Sequence, residues 1–466
     1  MILLKKPYLL FSIVYAVISI TSIYYFDGTG DVGDSIAHYL FAKWAPYHHE
    51  LYFDHWAKPV YVLLASPFAQ FGFVGMKFFN VIINLCTILL TYKLAENLGL
   101  KNSKLILLIL LFSPLFYILT FSGLTEPLFA LFVALGLYFA HLNKNFTAFT
   151  IISFLPYVRS EGLIIIGVFS LYAIYKSHWK YLPFLLLGSV VYAIAGYFVY
   201  HNLLWVFTKI PYAKLSSVYG SGSLFHFVDK LINVCGVPLY AMFWIGFLII
   251  IYQSLKGNTT AYMTILIWFG FVAFLVAHSL FWYLGIFNSM GLQRVLICTM
   301  PMIAIISLHG FNFITEYKPI SNLKMKFAIQ VVIVMYIVVF PFTANPSAIN
   351  WKKDMMLANE QTSLIEMAKC LNAKQIHCAP ILYNHHYISE VLNIDHFDER
   401  QHLKITKESV NQMKSGNLLV WDNKFCPVET GINCDSLLSG KNFTVLCSKS
   451  VLDLNAKFEW LLIQRR

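Results

Sequence analysis

Charged side chains are scarce in this chain, and the few that interrupt its apolar runs sit where chemistry at a water–lipid boundary would need them. Asp34, in GDSIAHYLFAKW, belongs to a polar stretch over residues 27–59 that also carries Asp27, Asp31, Asp54, Lys58 and the histidines His38, His48, His49 and His55. A carboxylate at the start of a short amphipathic helix has two readings. Asp31 or Asp34 would cap the helix, or Asp34 would act as a general base with its pKa lifted toward neutrality. Glu126, in SGLTEPLF, opens a later apolar run, where the helix dipole favours a first-turn acid ahead of Pro127 and where it would face the same vestibule as Asp34. Arg159 and Glu161 interrupt another run, either as a local pair or as a substrate-holding pair in which the guanidinium fork grips an anionic group. Lys58, just before Pro59, and Arg294, after WYLGIFNSMGLQ, stand at the ends of other apolar runs. Cations so placed need an anionic partner, and a lipid phosphate supplies one.

A carboxylate in an aqueous vestibule, close to phosphate-binding cations, fits transfer of a lipid-carried group to a hydroxyl or amide. Asp34 would take the acceptor proton, and Lys58, Arg159 or Arg294 would stabilise the departing phosphate as charge develops on it. His38 and His55 would hydrogen-bond the sugar, the base or the phosphate. HHE at 48–50 is not HExxH and reads as loop polarity.

The elements that must position these groups are membrane spans. Of 466 residues, 58% are hydrophobic, 17% aromatic and 12% charged, about half the charged fraction of ordinary soluble domains. The net charge of +11 does not make a nucleic-acid surface, because the cations lie in short loops between apolar runs and no basic stripe with stacking aromatics appears. Residues 60–73, interrupted by Pro67, are too short to span and read as re-entrant or interfacial. Spans are expected at 8–26, 74–94, 104–121, 124–141, 146–158, 162–175, 181–201, 237–255, 260–278, 294–315 and 327–343; residues 146–175 read as one bent span or as two short ones, and two keep the lysine-rich connectors on one side. Counted so, one set of connectors holds Lys5, Lys6, Lys93, Lys101, Lys104, Lys144, Lys176, Lys180, Lys256, Lys318, Lys324 and Lys326. The alternate set holds Asp34, Glu126, Arg159, Glu161 and Arg294. The positive-inside rule then puts the amino terminus in the cytoplasm and the site outside, in a plasma or inner membrane.

Residues 1–346 therefore read as the membrane domain, and residues 347–466 as a small extracytoplasmic α/β domain in which helical and strand-like patterns alternate. Cys370, Cys378, Cys426, Cys434 and Cys447 fall there, in an oxidising compartment where one or two disulfides are expected. Their spacing carries no zinc signature.

The arrangement resembles the polytopic GT-C glycosyltransferases that use polyprenyl-phosphate sugars, of the protein O-mannosyltransferase and lipid A aminoarabinose transferase type. GDSIAHYLFA matches the first outer acid, HWAKPVYVLL the segment with a phosphate-binding lysine, and TEPLFALFVALGLYF the second outer acid. AHSLFWYLGIFNSMGLQRVLICTMPMIAI matches the late outer segment with its arginine. The pattern departs from the family where Val60 replaces a second proline, Glu126 stands as the second acid, and the acidic doublet is missing at GDS. The resemblance implies an inverting transfer, from dolichyl or undecaprenyl phosphate to a lipid, glycan or protein, with Asp34 and Glu126 catalytic. Lys58, Arg159, Arg294, His38, His55 and Glu161 would bind substrate. It also raises a divalent cation, Mg or Mn, between Asp34 and Glu126, with His38 as a further ligand. A transporter or flippase of a lipid-linked anion is the alternative, but it would want mid-membrane charges and inverted repeats.

Overall fold

A computed structural model of the chain describes residues 7–211, 216–217, 219–316, 323–374, 380–439, 442–453 and 456–466. Lys5, Lys6, Lys318 and Cys378 lie outside the described residues. Seven described helices are long and apolar enough to cross a membrane: Tyr8–Tyr25, Gly72–Asn97, Trp179–Tyr200, Val237–Leu255, Tyr262–Leu284, Gln293–Glu316 and Leu323–Phe342. The protein is thus a multi-pass integral membrane protein. In an apolar 18-residue window of Gln293–Glu316, 89% of the residues are buried, so this helix forms the centre of the bundle, whereas in Leu323–Phe342 the share is 17% and its apolar side chains are left to lipid.

The remaining apolar runs depart from the even series of spans that hydropathy predicts. Residues 104–121 are two short helices, Leu105–Leu111 and Pro114–Thr120, because Pro114 has no N–H to continue the first and opens the second after Ser113. Residues 146–158 form Asn145–Ser153 and a tighter turn at Leu155–Tyr157, together too short to cross alone. Pro67, by contrast, does not break its segment. The helix Pro59–Ala69 passes through it and ends two residues later, so only the last turn loses a hydrogen bond.

These breaks are what bring polar groups to one end of the bundle. At the break before Gly162–Tyr175 the chain folds back so tightly that a Cβ on Gly162 would lie 2.4 Å from the Leu155 carbonyl carbon. Arg159 and Glu161 are presented on that bend. At the turn ahead of Glu126–His141, a Cβ on Gly123 would lie 2.4 Å from the Ser35 carbonyl oxygen. Gly123 N donates to Ser35 Oγ at 2.7 Å, which seats this turn against the helix Asp34–Trp44.

The carboxyl-terminal region contains a mixed five-stranded sheet in the order β2-β1-β3-β5-β4. Here β1 is Ile381–Leu382, β2 His402–Leu403, β3 Leu418–Asp422, β4 Phe443–Asp453 and β5 Ala456–Arg465. β1 runs parallel to β2 and β3, β3 is antiparallel to β5, and β4 and β5 form a hairpin with a register shift between Val445 and Cys447. Every residue of β3 is buried, as its run of Leu, Leu, Val and Trp requires. The helix Asn359–Ala373 is tied to β4 by a Cys370–Cys447 disulfide, and Cys426 and Cys434 remain free.

This region covers the first polar loop. Gly28 N donates to Met355 O at 3.0 Å, and Tyr39 Oη and Lys43 Nζ donate to Glu390 Oε2 at 2.9 and 3.2 Å. His48 Nε2 meets Asp395 Oδ2 at 2.8 Å, and the Phe41 and Phe397 rings pack edge to face at 4.7 Å. The first loop and the carboxyl-terminal sheet therefore share one side of the molecule.

Candidate functional site

Asp31, Asp34, Glu126, Arg159, Glu161 and Arg294 form one connected charge network beneath that cover. Arg294 opens the central helix Gln293–Glu316 and spends every guanidinium nitrogen on a carboxylate. Its Nη1 lies 2.6 Å from Asp31 Oδ2 and its Nε 3.1 Å from Glu126 Oε1, while Nη2 bonds Asp34 Oδ2. Arg159 Nη1 reaches the same Glu126 Oε1 at 2.9 Å and donates to Thr125 Oγ1, and its Nη2 pairs with Glu161 Oε1 at 2.9 Å. Glu126 is 0% exposed. Two arginines share this sealed carboxyl through one oxygen, Oε1.

Asp31 is the member that sequence reasoning left out of the site. Its signal was there, in an acid three residues before Asp34 at a helix start. The division of labour between the two answers the capping question. The residue preceding the helix is Gly33, which makes no side-chain cap bond, and Asp34 is the first helical residue. Asp31 Oδ1 accepts Gly33 N at 2.9 Å and Ser35 N at 3.3 Å, so Asp31 does the capping work and leaves Asp34 uncapped.

The two carboxyls accordingly part company although they share one guanidinium. Burial pushes Asp31 up, but Arg294 and the two backbone N–H donors outweigh it and hold its carboxyl below the usual range. For Asp34, burial also raises the pKa, Arg294 opposes, and the like charges of Asp31 and Glu126 add to the rise, so the carboxyl ends above the usual range. Water still reaches 41% of the Asp34 side chain. Of the two, Asp34 is the more open to water and the one whose carboxyl is pushed up.

Lys58 differs from the arginines. Its Nζ bonds neutral oxygens, His55 O and Ser160 Oγ, each at 3.2 Å. Burial, followed by the opposed charges of Glu161 and Arg159, brings its pKa down to about 8. Its backbone is in the left-handed region, φ 71°, which a lysine adopts at a cost. Pro59 closes the ordinary helical region to the residue before it, and the strained turn sets Lys58 at the head of the helix Pro59–Ala69.

The histidines are held by aromatic packing. His38 lies 5.0 Å from the Trp56 ring, nearly parallel to it, and His55 lies 5.0 Å from Trp205. Burial first, then the charge of Lys58, keeps both neutral, His55 at about 4. Neither ring bonds Asp34 or Glu126 in the hydrogen-bond network of the described residues, and among those residues no three His, Cys, Asp or Glu side chains gather to hold a metal. Asp34 and Glu126 both point at the Arg294 guanidinium, so the place of a bridging cation is already taken by a fixed positive charge. These residues do not fit a Mg or Mn site. An apolar cavity of about 320 Å³ lies elsewhere, between Val17, Ser22, Tyr117, Phe342 and Trp351, and holds none of the charged groups above.

No family model matches the chain, and no curated protein matches it. Among solved structures it is similar to the crystal structure of ArnT from Cupriavidus metallidurans bound to undecaprenyl phosphate, with a TM-score of 0.64. The two are 12% identical, over 97% of this chain and 97% of that one. At that identity the likeness is one of fold. The chain shares the polytopic fold of that structure, and at 97% coverage the likeness runs into the carboxyl-terminal sheet.

Proposed function

We propose that the protein is an inverting glycosyltransferase that moves a sugar from a polyprenyl-phosphate donor to an acceptor on the extracytoplasmic face of the membrane. The observation that carries this reading is the pairing of an open carboxyl of raised pKa, Asp34, with a cation, Lys58, that bonds only neutral oxygens. The fold likeness supports it. The acceptor hydroxyl gives its proton to the Asp34 carboxylate as its oxygen attacks the anomeric carbon. The bond from that carbon to the phosphate oxygen breaks, and its electron pair leaves on the polyprenyl phosphate, where Lys58 neutralises the developing charge. Arg294, which the sequence paired with Lys58 on the phosphate, is committed to three carboxylates and takes another role, holding Asp34, Asp31 and Glu126 together. Arg159 shares Glu126 and Glu161 and supports the same network. In this reading the amino terminus is cytoplasmic and the region from about residue 347 is one extracytoplasmic domain, which the lysine-rich connectors and the Cys370–Cys447 disulfide support.

The test is sugar transfer by the purified protein from an undecaprenyl-phosphate-linked sugar. Asp34→Asn keeps the shape and should lower the rate by about 10²–10⁴ with donor binding intact. Near-normal turnover by that variant removes the mechanism.

A further inference from the structure

The apolar cavity of about 320 Å³ stands apart from the charge network and is a product of the fold. The chain breaks at Ser113–Pro114, and Leu111, Phe112 and Tyr117 around that break line the cavity with Ile18 and Ser22 of the first helix. The hydroxyls of Ser22 and Tyr117 are spent on each other at 2.5 Å. A trapped water needs about two to four polar partners, so a cavity walled this way stays dry, and apolar cavities of ~150 Å³ already take up a benzene-sized ligand. Its rim faces the bilayer. Val17 is 59% and Phe342 62% exposed, on the two spans that bury the smallest shares of their apolar windows but for Trp179–Tyr200. Hydrocarbon, rather than water, is the medium at its mouth.

Trp351 joins this cavity to a charged patch. The first helix ends at Tyr25 and the last span at Phe342. The Trp351 ring meets both ends, 5.6 Å from Phe26 and stacked on Phe342 at 5.4 Å, so it marks the membrane face, where tryptophan belongs. The next two residues, Lys352 and Lys353, are both exposed, and neither closes an ion pair among the described residues. Their neighbour Asp354 lies within electrostatic reach of Lys353 and spends one carboxylate oxygen on Asn350 N at 2.8 Å. A dry slot below a tryptophan and two open cations beside it match one kind of occupant, a hydrocarbon chain under an anionic headgroup. A second copy of the chain matches poorly, because a two-fold contact would set one lysine pair against the other.

We propose that the protein binds an anionic phospholipid of the surrounding leaflet, with an acyl chain in this cavity and its phosphate at Lys352 and Lys353, at a site separate from that of the polyprenyl-phosphate donor. The lipid sits at the seam between the two parts of the molecule, since Met355, four residues beyond Trp351, accepts Gly28 N at 3.0 Å.

The experiment counts lipids on the full-length protein by native mass spectrometry, after delipidation in detergent and addition of phosphatidylglycerol or phosphatidylcholine. A lysine beside an anionic headgroup is worth about 5-fold in binding, so two should make phosphatidylglycerol bind about 10-fold or more tighter than phosphatidylcholine. Lys352→Gln combined with Lys353→Gln should abolish that preference. Each methylene kept out of an apolar site costs about 4-fold, so Ile18→Trp, which fills the cavity, should weaken phosphatidylglycerol by about 10-fold or more with both lysines present. Val17→Trp, at a lipid-exposed position on the same wall, serves if that variant does not fold. Equal binding of the two lipids by the wild type overturns the proposal. So does a loss in the lysine variant that cavity filling does not reproduce, which reduces the effect to surface attraction. Undecaprenyl phosphate in excess should leave phosphatidylglycerol bound; displacement assigns the cavity to the donor's tail and overturns the separate site. Wild-type dimers that vanish in Ile18→Trp give this face to a second copy and overturn it as well.

Discussion

Two buried acid–base clusters among the described residues are finished differently. In the carboxyl-terminal region, His385 Nε2 meets Glu360 Oε1 at 2.7 Å and its Nδ1 accepts Tyr387 N at 3.2 Å, while Lys424 Nζ closes on both Glu360 oxygens at 3.0 and 2.8 Å. Asp422 beside them accepts the backbone N–H of Phe425 and Lys424 at 2.6 and 3.0 Å. Each of these groups is saturated from within the chain. Beneath the first loop the ion pairs are as close, yet Glu126 and Arg159 each keep a polar atom unmatched and Lys58 bonds no carboxylate. An unpaired buried polar group costs about 1–3 kcal/mol. Among the described residues the two clusters differ in how fully their polar atoms are matched rather than in how closely their charges pair.

The strongest way to break this contrast is to remove the guanidinium that organises the open cluster. Arg294→Ala leaves Asp31 and Asp34 without a cation and Glu126 with Arg159 alone. Withdrawing one partner from a buried pair costs about 3–5 kcal/mol, so the variant should unfold at markedly lower temperature in detergent. A variant as stable as the wild type, with donor affinity lost instead, returns Arg294 to the phosphate and shows the carboxylate pairing to be a resting arrangement.

Glu360→Gln tests the closed cluster. It keeps an acceptor for His385 but removes the charge facing Lys424, and should cost about 1–3 kcal/mol of stability in thermal unfolding. Sugar transfer per folded molecule should stay within a factor of about two. Phe425 borders both regions, with its ring 3.6 Å from where a Cβ on Gly33 would lie. Loss of turnover without loss of stability would therefore make the saturated cluster part of the reaction path.

Much of the open cluster was legible because each member ends an apolar run, and membrane hydropathy locates such ends well. Asp34, Glu126, Arg159, Glu161 and Arg294 were found that way. Their pairing was not legible: Arg294 meets Asp31 across 263 residues, and nothing local says which carboxylates one arginine will share. Asp31 was read as a cap, which it is through Oδ1, and its second oxygen belongs to the site. The broken segment at Ser113–Pro114 was missed because a hydropathy window counts proline as merely neutral, while its effect is on the backbone. Pro67 was over-read for the converse reason, since proline near a helix end breaks little.

The smallest effect is a change in the shape of a pH profile, and it sharpens the contrast between Lys58 and the two arginines. Asp34 takes a proton only when ionised, so transfer should fall as pH drops through its raised pKa, giving an acid limb. Lys58 neutralises phosphate only when protonated, and with its pKa brought down to about 8, kcat/KM should fall again above that value. Kcat/KM reports the free enzyme, in which burial and Arg159 lower Lys58 without a phosphate to raise it back. Lys58→Arg isolates this limb. A guanidinium stays charged throughout the accessible range, so the fall above about pH 8 should vanish while the acid limb stays in place, whatever happens to the absolute rate. Asp34, Glu161 and Asp54 also face Lys58 electrostatically, and a basic limb that survived in Lys58→Arg would trace it to a group other than Lys58. Reading kcat/KM from pH 5 to 10 on both proteins therefore decides whether the cation that bonds only neutral oxygens is the one that meets the phosphate.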